Sequence, residues 1–317
     1  MAKKVIIDTD PGVDDAIAIF LALASPEIEV LGLTTVFGNA STGTTTRNAL
    51  SLLNITQRND IPVVMGANKP LASEYLGPVT HVHGHDGQGD SNLPEPSGSP
   101  INVGAPEWIY RMASEAPNEL TILTLGPLTN LAMAVKEFPD LPNLVKEVVV
   151  MGGNALVPGN ASPAAEANML NDPEAADLVF AQPWHTTMIG LDVTHSVNLT
   201  SDQLKIITES KTAQAQHLAA AVPLYQSFFE QTNGIDGIFS HDPTAVMYLV
   251  EPNLFEFQSW PLRVETDGFS RGKTWPSMGD TDDAAPAPWL NRPTTSVATT
   301  VNGEVVARLI VQRLSQQ

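Results

Sequence analysis

Short apolar runs alternate with amphipathic stretches through the first half of the chain. Residues 5–8 form an apolar run, which is typical of a strand covered on both faces of a sheet. Residues 14–24 place apolar side chains on one helical face, and Pro26 ends this predicted helix. The alternation continues with predicted strands at 28–36, 63–65, 120–125 and 147–151, and with predicted helices at 42–53, 107–115 and from 128 onward.

This alternation indicates the fold class. Strands and helices that alternate over roughly the first 190 residues predict an α/β fold with a mostly parallel, doubly wound sheet flanked by helices. The second half is more helical, with predicted helices at 173–181, 201–209, 213–231 and 243–249 before a closing strand at 296–301 and helix at 305–314. We find no linker and no repeat, so residues 1–317 are expected to form a single domain. Ligands of such sheets bind beyond the carboxyl ends of the strands, where we expect the active site.

Composition and charge exclude several classes of function. The 317 residues carry a net charge of -19 with only 16 lysines and arginines, so the chain lacks the basic surface that nucleic acids require. The absence of cysteine excludes disulfides, thiolate metal ligands and cysteine nucleophiles. No segment has the pattern of a secretion signal or a membrane helix, and we expect a cytoplasmic protein without nucleic-acid or membrane partners.

Four aspartates gather where the first predicted strand ends. They are Asp8, Asp10, Asp14 and Asp15. Capping of the following helix could explain one or two of them, but each further carboxylate repels the others. Such a cluster favours a bound cation together with a polyol or phosphate ligand. Ligation by oxygen alone suggests Ca²⁺ or Mg²⁺.

Other polar groups follow later strands. Asn39 comes after the second strand, and the carbonyl of Leu125 ends the strand before a Gly-Pro pair. Asn160, Glu166 and Asn168 lie in a segment rich in small residues. Carboxamides and carboxylates suit sugar hydroxyls, because each hydroxyl both donates and accepts a hydrogen bond.

Histidines and Asp-Pro pairs supply further candidates. Asp172 precedes a proline in the pattern of a helix cap, and we interpret it as structural. Asp242 has the same local pattern, but it follows His241, which could act as a general acid beside a metal-binding carboxylate. The segment 66–103 has no periodicity and contains three closely spaced histidines that could bind zinc, although the aspartates argue for a harder cation.

Together these motifs resemble the nucleoside N-ribohydrolases of the inosine-uridine-preferring type. The similarity rests on DTDPGVDDA at 8–16, GN at 38–39, GPLTN at 126–130, MGG at 151–153, the segment with Asn160, Glu166 and Asn168, and HD at 241–242. The resemblance implies a Ca²⁺ enzyme that cleaves the N-glycosidic bond of ribonucleosides, releasing ribose and the free base. It also implies a homodimer or homotetramer.

The resemblance further implies roles for individual residues. Those that would hold the cation are Asp10, Asp15, Asp242 and the carbonyl of Leu125. Asp10 would also take a proton from the metal-bound water, and His241 would protonate the departing base. Ribose would be bound by Asp14, Asn39, Asp242 and Asn168 at its 2′ and 3′ hydroxyls, by Asn160 and Glu166 at its 5′ hydroxyl, and by Met151. The sequence does not fix the preferred base. Several aromatic residues could shape its pocket, and we take two of them, His83 and Tyr225, as candidate substrate-binding residues; the others are His81, His85, Phe228, Phe229 and Trp260.

Three alternatives remain open from the sequence. One is a hydrolase of another riboside, such as nicotinamide riboside or a modified nucleoside. A second is a protein that binds ribose or a nucleoside without catalysis. The third is a phosphatase of the haloacid dehalogenase type, whose DxD motif would be Asp8-Thr9-Asp10 and whose late acidic motif would be Gly279-Asp280 with Asp282 and Asp283.

Overall fold

A computed structural model describes residues 2–279 and 287–316 of the chain. It has an α/β architecture in which helices flank a large, mostly parallel sheet. Its strands are β1 Lys3–Thr9, β2 Ile28–Thr35, β3 Val63–Met65, β4 Leu120–Thr124, β5 Glu147–Met151, β6 Thr186–Ile189, β7 Asn198–Leu199, β8 Ile238–Phe239, β9 Phe255–Val264, β10 Thr274–Pro276 and β11 Thr294–Val301.

The α-helices follow the strands closely in the chain. They are α1 Val13–Leu23, α2 Thr42–Ile55, α3 Thr80–His83, α4 Ala105–Glu115, α5 Thr129–Glu137, α6 Ala167–Asn171, α7 Pro173–Phe180, α8 Leu191–Thr194, α9 Ser201–Thr208, α10 Ala213–Asn233, α11 His241–Val250 and α12 Gly303–Ser315. Short 3₁₀ turns lie at Leu141–Asn143, Pro252–Leu254, Gly268–Ser270 and Ala287–Trp289. Within the described residues, no helix is both long and apolar enough to cross a membrane.

The main sheet confirms the predicted fold class. Within the described ranges it has the strand order β10-β9-β11-β6-β5-β4-β1-β2-β3. The seven strands from β11 to β3 run parallel; at one edge β9 pairs antiparallel with β11, and β10 pairs antiparallel with β9. Of the strands in this sheet, the prediction missed β6, β9 and β10. A four-residue strand carries little periodicity, and Pro261 inside β9 is a signal against a strand.

Strand β1 shows why its sequence is an apolar run. Val5 and Ile7 belong to the hydrophobic cluster on the side of α1, α10 and α11, while Ile6 belongs to the cluster on the side of α4, α5 and α7. Successive side chains of a strand point to opposite faces, and here both faces are covered. The carboxyl end of β1 is therefore held rigidly between β2 and β4.

The sheet edge at these carboxyl ends also receives the first turns of two helices. Helix α1 begins just after β1 and carries two aspartates in its first turn, and α11 packs against α1 and begins with His241 and Asp242. Helix N-termini stabilise nearby negative charge, which offsets part of the cost of gathering acids there.

Candidate active site

Aspartates from distant parts of the chain converge at this edge. Carboxylate oxygens of Asp14, Asp15 and Asp242 all lie within 4.8 Å of one another, and all three residues are buried. Asp242 lies in the first turn of α11, whose N-cap is Ser240, so the cap interpretation does not apply to it. Asp172, in contrast, does cap α7 by accepting a hydrogen bond from the amide of Ala175, as predicted.

Asp10 lies beside this group at the end of β1. Its Oδ2 accepts a hydrogen bond from the amide of Asn39 at 2.7 Å. Two glycines give the carboxylate its space, because a Cβ at Gly38 would lie 1.9 Å from Oδ2 and one at Gly126 would lie 2.5 Å from Oδ1. The glycines of the GN and GPLTN motifs are therefore explained by the close approach of Asp10.

Asp15 is held by groups from three segments. Its Oδ1 accepts from the hydroxyl of Thr9, and its Oδ2 accepts from the amide of Gly12 at 2.9 Å and from Nδ2 of Asn39 at 3.0 Å. The bond to Gly12 is a helix-capping contact, so capping accounts for part of this carboxylate's environment. Asn39 contacts both Asp10 and Asp15 and fixes their relative positions.

Burial and mutual repulsion perturb all four acids. Burial is the main cause that raises the pKa of Asp14 and of Asp15 to about 6. Burial, reinforced by the neighbouring aspartates, raises the pKa of Asp10 and of Asp242 well above the usual range. The ionised carboxylates are therefore unfavourable here unless a positive charge lies close to them.

The donor set fits a hard divalent cation. Among the described residues, Oδ1 of Asp10 and Oδ1 of Asp14 are buried and lack a hydrogen-bond partner. Unpartnered buried carboxylate oxygens are costly unless a cation or a polar ligand contacts them. Ca²⁺ and Mg²⁺ are typically bound by several carboxylates together with neutral oxygens. Because both Asp10 and Asp14 have an unpartnered oxygen, either could supply a ligand.

The carbonyl of Leu125 also faces Asn168. Nδ2 of Asn168 donates to this carbonyl at 2.7 Å and to the carbonyl of Met151 at 3.2 Å. Both donations come from the amide nitrogen, so the amide oxygen of Asn168 is the atom that can accept from a sugar hydroxyl. The structure thus brings Leu125, Met151 and Asn168 together beside the acids.

The two residues expected at the 5′ hydroxyl have different environments. Glu166 is buried and caps α6, accepting hydrogen bonds from the amides of Gly153, Asn168 and Met169. Asn160 is exposed, and its Oδ1 accepts from the amide of Ala167 at 3.1 Å. Glu166 therefore braces the loop that carries Asn168.

His241 stands at the start of α11 among aromatic rings. Its Nδ1 lies 2.8 Å from the hydroxyl of Thr194, and its ring is 5.6 Å from that of His195 and 6.1 Å from that of Phe229. Burial, and then the neighbouring histidines, lower the pKa of His241 to about 3. The imidazole is therefore neutral at pH 7 and can present an N–H group rather than a full charge.

His83 and Tyr225 form a second aromatic wall. Their rings are 5.3 Å apart, and both groups face Asp14, with Nδ1 of His83 at 4.0 Å from its Oδ1. The amide of Val13 donates to Nδ1 of His83 at 3.2 Å, so the ring proton lies on Nε2. Burial lowers the pKa of His83 to about 4, which keeps this ring neutral.

The other base-pocket candidates differ in whether they contact the rings beside the aspartates. Phe229 contacts both Tyr225 and His241, whereas Phe228 packs against His81 at 5.9 Å. His85 is exposed and pairs with Asp90. Trp260 lies in β9 and packs against the hydrophobic cluster on the side of α5.

Asp8 is excluded as a nucleophile by its position. It is fully buried and accepts hydrogen bonds from Thr34 and Asn130, so no substrate reaches it. The late acids of the phosphatase alternative, Asp280, Asp282 and Asp283, lie outside the described residues. The geometry that is described gives that alternative no support.

Sequence reasoning missed several residues of this site. Thr194 and His195 follow β6, and Phe239 belongs to the small β7–β8 pair. Recognition of β6 as a strand would have placed the residues after it at the same edge as Asp10. Thr9, inside the first motif, could have been found from its position between two aspartates.

Comparison with known proteins yields consistent matches. Residues 5–308 match the family model described as inosine-uridine preferring nucleoside hydrolase. The chain is 42% identical over 317 residues to probable uridine nucleosidase 2 of Arabidopsis thaliana, covering 99% of this chain and 98% of that protein. It is 38% identical over 270 residues to the inosine-uridine preferring nucleoside hydrolase of Leishmania major, covering 84% of this chain and 85% of that protein. The solved structure of the plant nucleoside hydrolase PpNRh1 matches with a TM-score of 0.97 at 40% identity, covering 100% of both chains.

Proposed function

Because this chain belongs to the inosine-uridine preferring nucleoside hydrolase family, it is an enzyme that hydrolyses ribonucleosides, and we propose that the buried aspartate cluster is its catalytic centre. The observation that carries the proposal is the convergence of Asp14, Asp15 and Asp242 beside Asp10, with two carboxylate oxygens unpartnered. Ca²⁺ is the proposed cation, and Asp10, Asp15, Asp242 and the carbonyl of Leu125 would hold it.

The reaction breaks the bond between the anomeric carbon of ribose and a nitrogen of the base. Positive charge develops on the sugar and negative charge on the base as this bond lengthens. The surrounding carboxylates stabilise the positive charge on the sugar. A divalent cation bound here would lower the pKa of a water molecule and orient it for attack.

The side chains have separate roles in proton transfer and in binding the sugar. Asp10 accepts the proton of the attacking water through its otherwise unpartnered Oδ1. Asp14, Asp242, Asn39 and Asn168 hold the 2′ and 3′ hydroxyls, with Glu166 and Asn160 at the 5′ hydroxyl and Met151 against the ring. Water attacks directly and no side chain forms an ester, so we expect inversion at the anomeric carbon.

The aromatic walls provide a place for the base. His83 and Tyr225 face Asp14, and Phe229 contacts both Tyr225 and His241, so we assign the base to the space beside these rings. His241 would offer an N–H to the departing nitrogen. A neutral imidazole can stabilise negative charge in this way, as an electrophile rather than an ion. The names of both reported relatives include uridine, so uridine is the first substrate to test.

Purified protein with Ca²⁺ is expected to release reducing sugar from uridine, inosine or cytidine. The matching 2′-deoxyribonucleosides are expected to react at least about 100-fold more slowly, because the absent hydroxyl leaves buried polar groups without a partner. The measurement is the ribose released over time by each substrate. Equal rates for ribosides and deoxyribosides would contradict the proposed use of Asp14 and Asp242.

Two alternatives predict different results with the same nucleosides. Hydrolysis of nicotinamide riboside or a modified nucleoside, without release from the common nucleosides, would favour a different leaving group. Tight nucleoside binding in calorimetry without any turnover would favour a binding protein.

The single domain over residues 1–317, the homodimer or homotetramer and the cytoplasmic location stay predictions.

Replacement of His241 by alanine is expected to lower kcat on uridine by about 100-fold, because the departing base loses its proton donor. The same variant should retain most of its turnover of 4-nitrophenyl riboside, whose leaving group is stable as an anion. Steady-state kinetics on both substrates measure the difference. His185, which is largely exposed and pairs with Glu147, provides the matched histidine-to-alanine control.

An equal loss of kcat on both substrates would contradict the assignment of His241 as the proton donor to the base. It would show that His241 supports the fold of the pocket or the position of Asp242 rather than the leaving base. No change on either substrate would equally remove His241 from the reaction.

A further inference from the structure

A buried carboxamide joins the loop after His83 to the turn between the catalytic aspartates. Gln88 is fully buried, and its Nε2 donates to the carbonyl of Gly12 at 2.6 Å and to that of Pro11 at 3.0 Å. Pro11 and Gly12 are the residues that connect Asp10 to the first turn of α1. The two bonds therefore hold the backbone that connects Asp10 to Asp14 and Asp15.

The orientation of this carboxamide is fixed by its partners. Carbonyl oxygens only accept hydrogen bonds, so the NH₂ group of Gln88 must face Pro11 and Gly12. Its Oε1 consequently faces His217 of α10, whose Nε2 lies 2.8 Å away and must carry the proton. His217 is itself buried, with its ring edge-on to Phe20 of α1 at 6.1 Å. The hydrogen bonds therefore run in one direction: His217 donates to Gln88, and Gln88 donates to the carbonyls of the turn.

Two further contacts hold the same turn. Nδ2 of Asn48 donates to the carbonyl of Pro11 at 3.1 Å and to that of Asp86, in the loop with Gln88, at 2.8 Å. The amide of Val13 is bonded to His83, as described above. The loop and its neighbours therefore bind three consecutive residues of the turn, and a Pro-Gly pair has few bonds of its own to fix it.

We infer that Gln88, oriented by His217, is a positioning residue that holds the Pro11–Gly12 turn so that Asp10 and the α1 aspartates face one cation. The inference rests on the proposed function, since it presumes that the cluster binds a cation. Groups that orient metal ligands from outside the coordination sphere typically change metal affinity 10- to 100-fold when they are replaced. Neither Gln88 nor His217 needs to contact substrate for this effect.

The test is calorimetric titration of Ca²⁺ into metal-free protein, combined with thermal unfolding. Gln88→Leu is expected to weaken Ca²⁺ binding about 10-fold or more. Asn154→Leu is the matched control, because Asn154 is also a fully buried carboxamide that donates to two carbonyls, those of Val157 and Ala164. It should lower Tm while its Kd for Ca²⁺ stays within about twofold of the wild type.

The double variant Gln88→Leu with His217→Phe separates positioning from stability. It removes the buried N–H that Gln88→Leu alone leaves unpaired, so Tm should recover relative to the single variant. Ca²⁺ affinity should not recover, because the carbonyls of Pro11 and Gly12 still lack the donor that Gln88 supplied. His217→Phe alone should weaken Ca²⁺ binding less than Gln88→Leu does, and it provides the test if Gln88→Leu does not fold.

Each other outcome has a definite meaning. Wild-type affinity in Gln88→Leu, or in His217→Phe where Gln88→Leu does not fold, would overturn the positioning inference alone and leave the proposed catalytic centre intact. An equal loss in Asn154→Leu would attribute the effect to general loosening and also overturn it. A wild-type protein that binds no Ca²⁺ would instead overturn the proposed cation, and the inference with it.

Discussion

Replacement of Asp10 by asparagine is expected to lower kcat on uridine by about 10³-fold or more while the protein stays folded. The amide of Asn39 donates to Oδ2, so the oxygen of the new side chain will occupy that position. The NH₂ group then replaces Oδ1, the atom that is buried without a partner and that we propose takes the proton of the attacking water. Loss of a general base alone costs about 10²- to 10⁴-fold, and a lost cation ligand adds to this.

The control for this variant is Asp8→Asn, on the same strand. Asp8 is also buried, and its Oδ1 accepts from Thr34 and Asn130, contacts that an asparagine oxygen can keep. We expect kcat within about 10-fold of the wild type, since Asp8 has no place in the reaction. The pair also tests the phosphatase alternative, in which Asp8 would be the nucleophile and Asp8→Asn would be inactive.

Stability measurements keep the first result interpretable. Burial and repulsion raise the pKa of Asp10, which means that its ionised form destabilises the metal-free fold. In chelator at neutral pH, Asp10→Asn should therefore unfold at a Tm no lower than that of the wild type. A sharp fall in Tm, or kcat within tenfold of the wild type, would contradict the assignment of Asp10 as the base.

Removal of divalent cations is expected to abolish turnover and to make the chain less stable in a pH-dependent way. A chelator should reduce ribose release to background, and added Ca²⁺ should restore it. At a Ca²⁺ concentration of about 100 times Kd, binding adds about 2.7 kcal/mol to the free energy of unfolding. Full activity in chelator-treated, metal-free protein would contradict the proposed cation.

The pH dependence follows from the raised pKa values. Asp14 and Asp15 have a pKa of about 6 in the metal-free fold and an ordinary value of 3.8. Between about pH 4 and 6 the folded chain therefore holds protons that the unfolded chain has released, so this contribution to stability falls as the pH rises. Burial and the neighbouring aspartates also raise the pKa of Asp10 and of Asp242 well above the usual range, so these two carboxyls add to the fall in stability.

Bound Ca²⁺ opposes this loss because it requires the ionised carboxylates. The gap in Tm between the Ca²⁺-loaded and the metal-free protein should therefore widen between about pH 4 and pH 6, the range set by the pKa of Asp14 and Asp15. Scanning calorimetry of both forms across this range measures it. Asp202→Asn offers a control, since Asp202 is exposed in the first turn of α9 and lies outside the cluster, and it should leave the widening unchanged. A gap that is constant or that narrows with pH would contradict the coupling between the cation and these acids.

Most of the fold could be predicted from local patterns. The apolar run before Asp8 and the amphipathic period after Asp14 gave β1 and α1 to within two residues at each end. The antiparallel edge was missed, because β9 contains a proline and β10 has only three residues. Those strands are stabilised by pairing with distant partners, which no local pattern reports.

The site could be predicted only in part. Asp10, Asp14 and Asp15 are close in the chain, so their proximity in space follows from the strand–helix junction. Asp242 joins them through the packing of α11 on α1. Asn160 lies in the predicted segment with an exposed side chain, and its role at the 5′ hydroxyl stays a prediction.

The sequence by itself determined that a turn rich in carboxylates follows a buried parallel strand, because both features depend on neighbouring residues. Only the tertiary structure decided which remote groups complete the site: Thr194 and His195 after β6, the aromatic side chains of α10, and the Gln88–His217 pair behind the turn. These groups meet because strand order and helix packing bring together residues far apart in the chain, and the buried carboxylates then need the partners that the fold supplies.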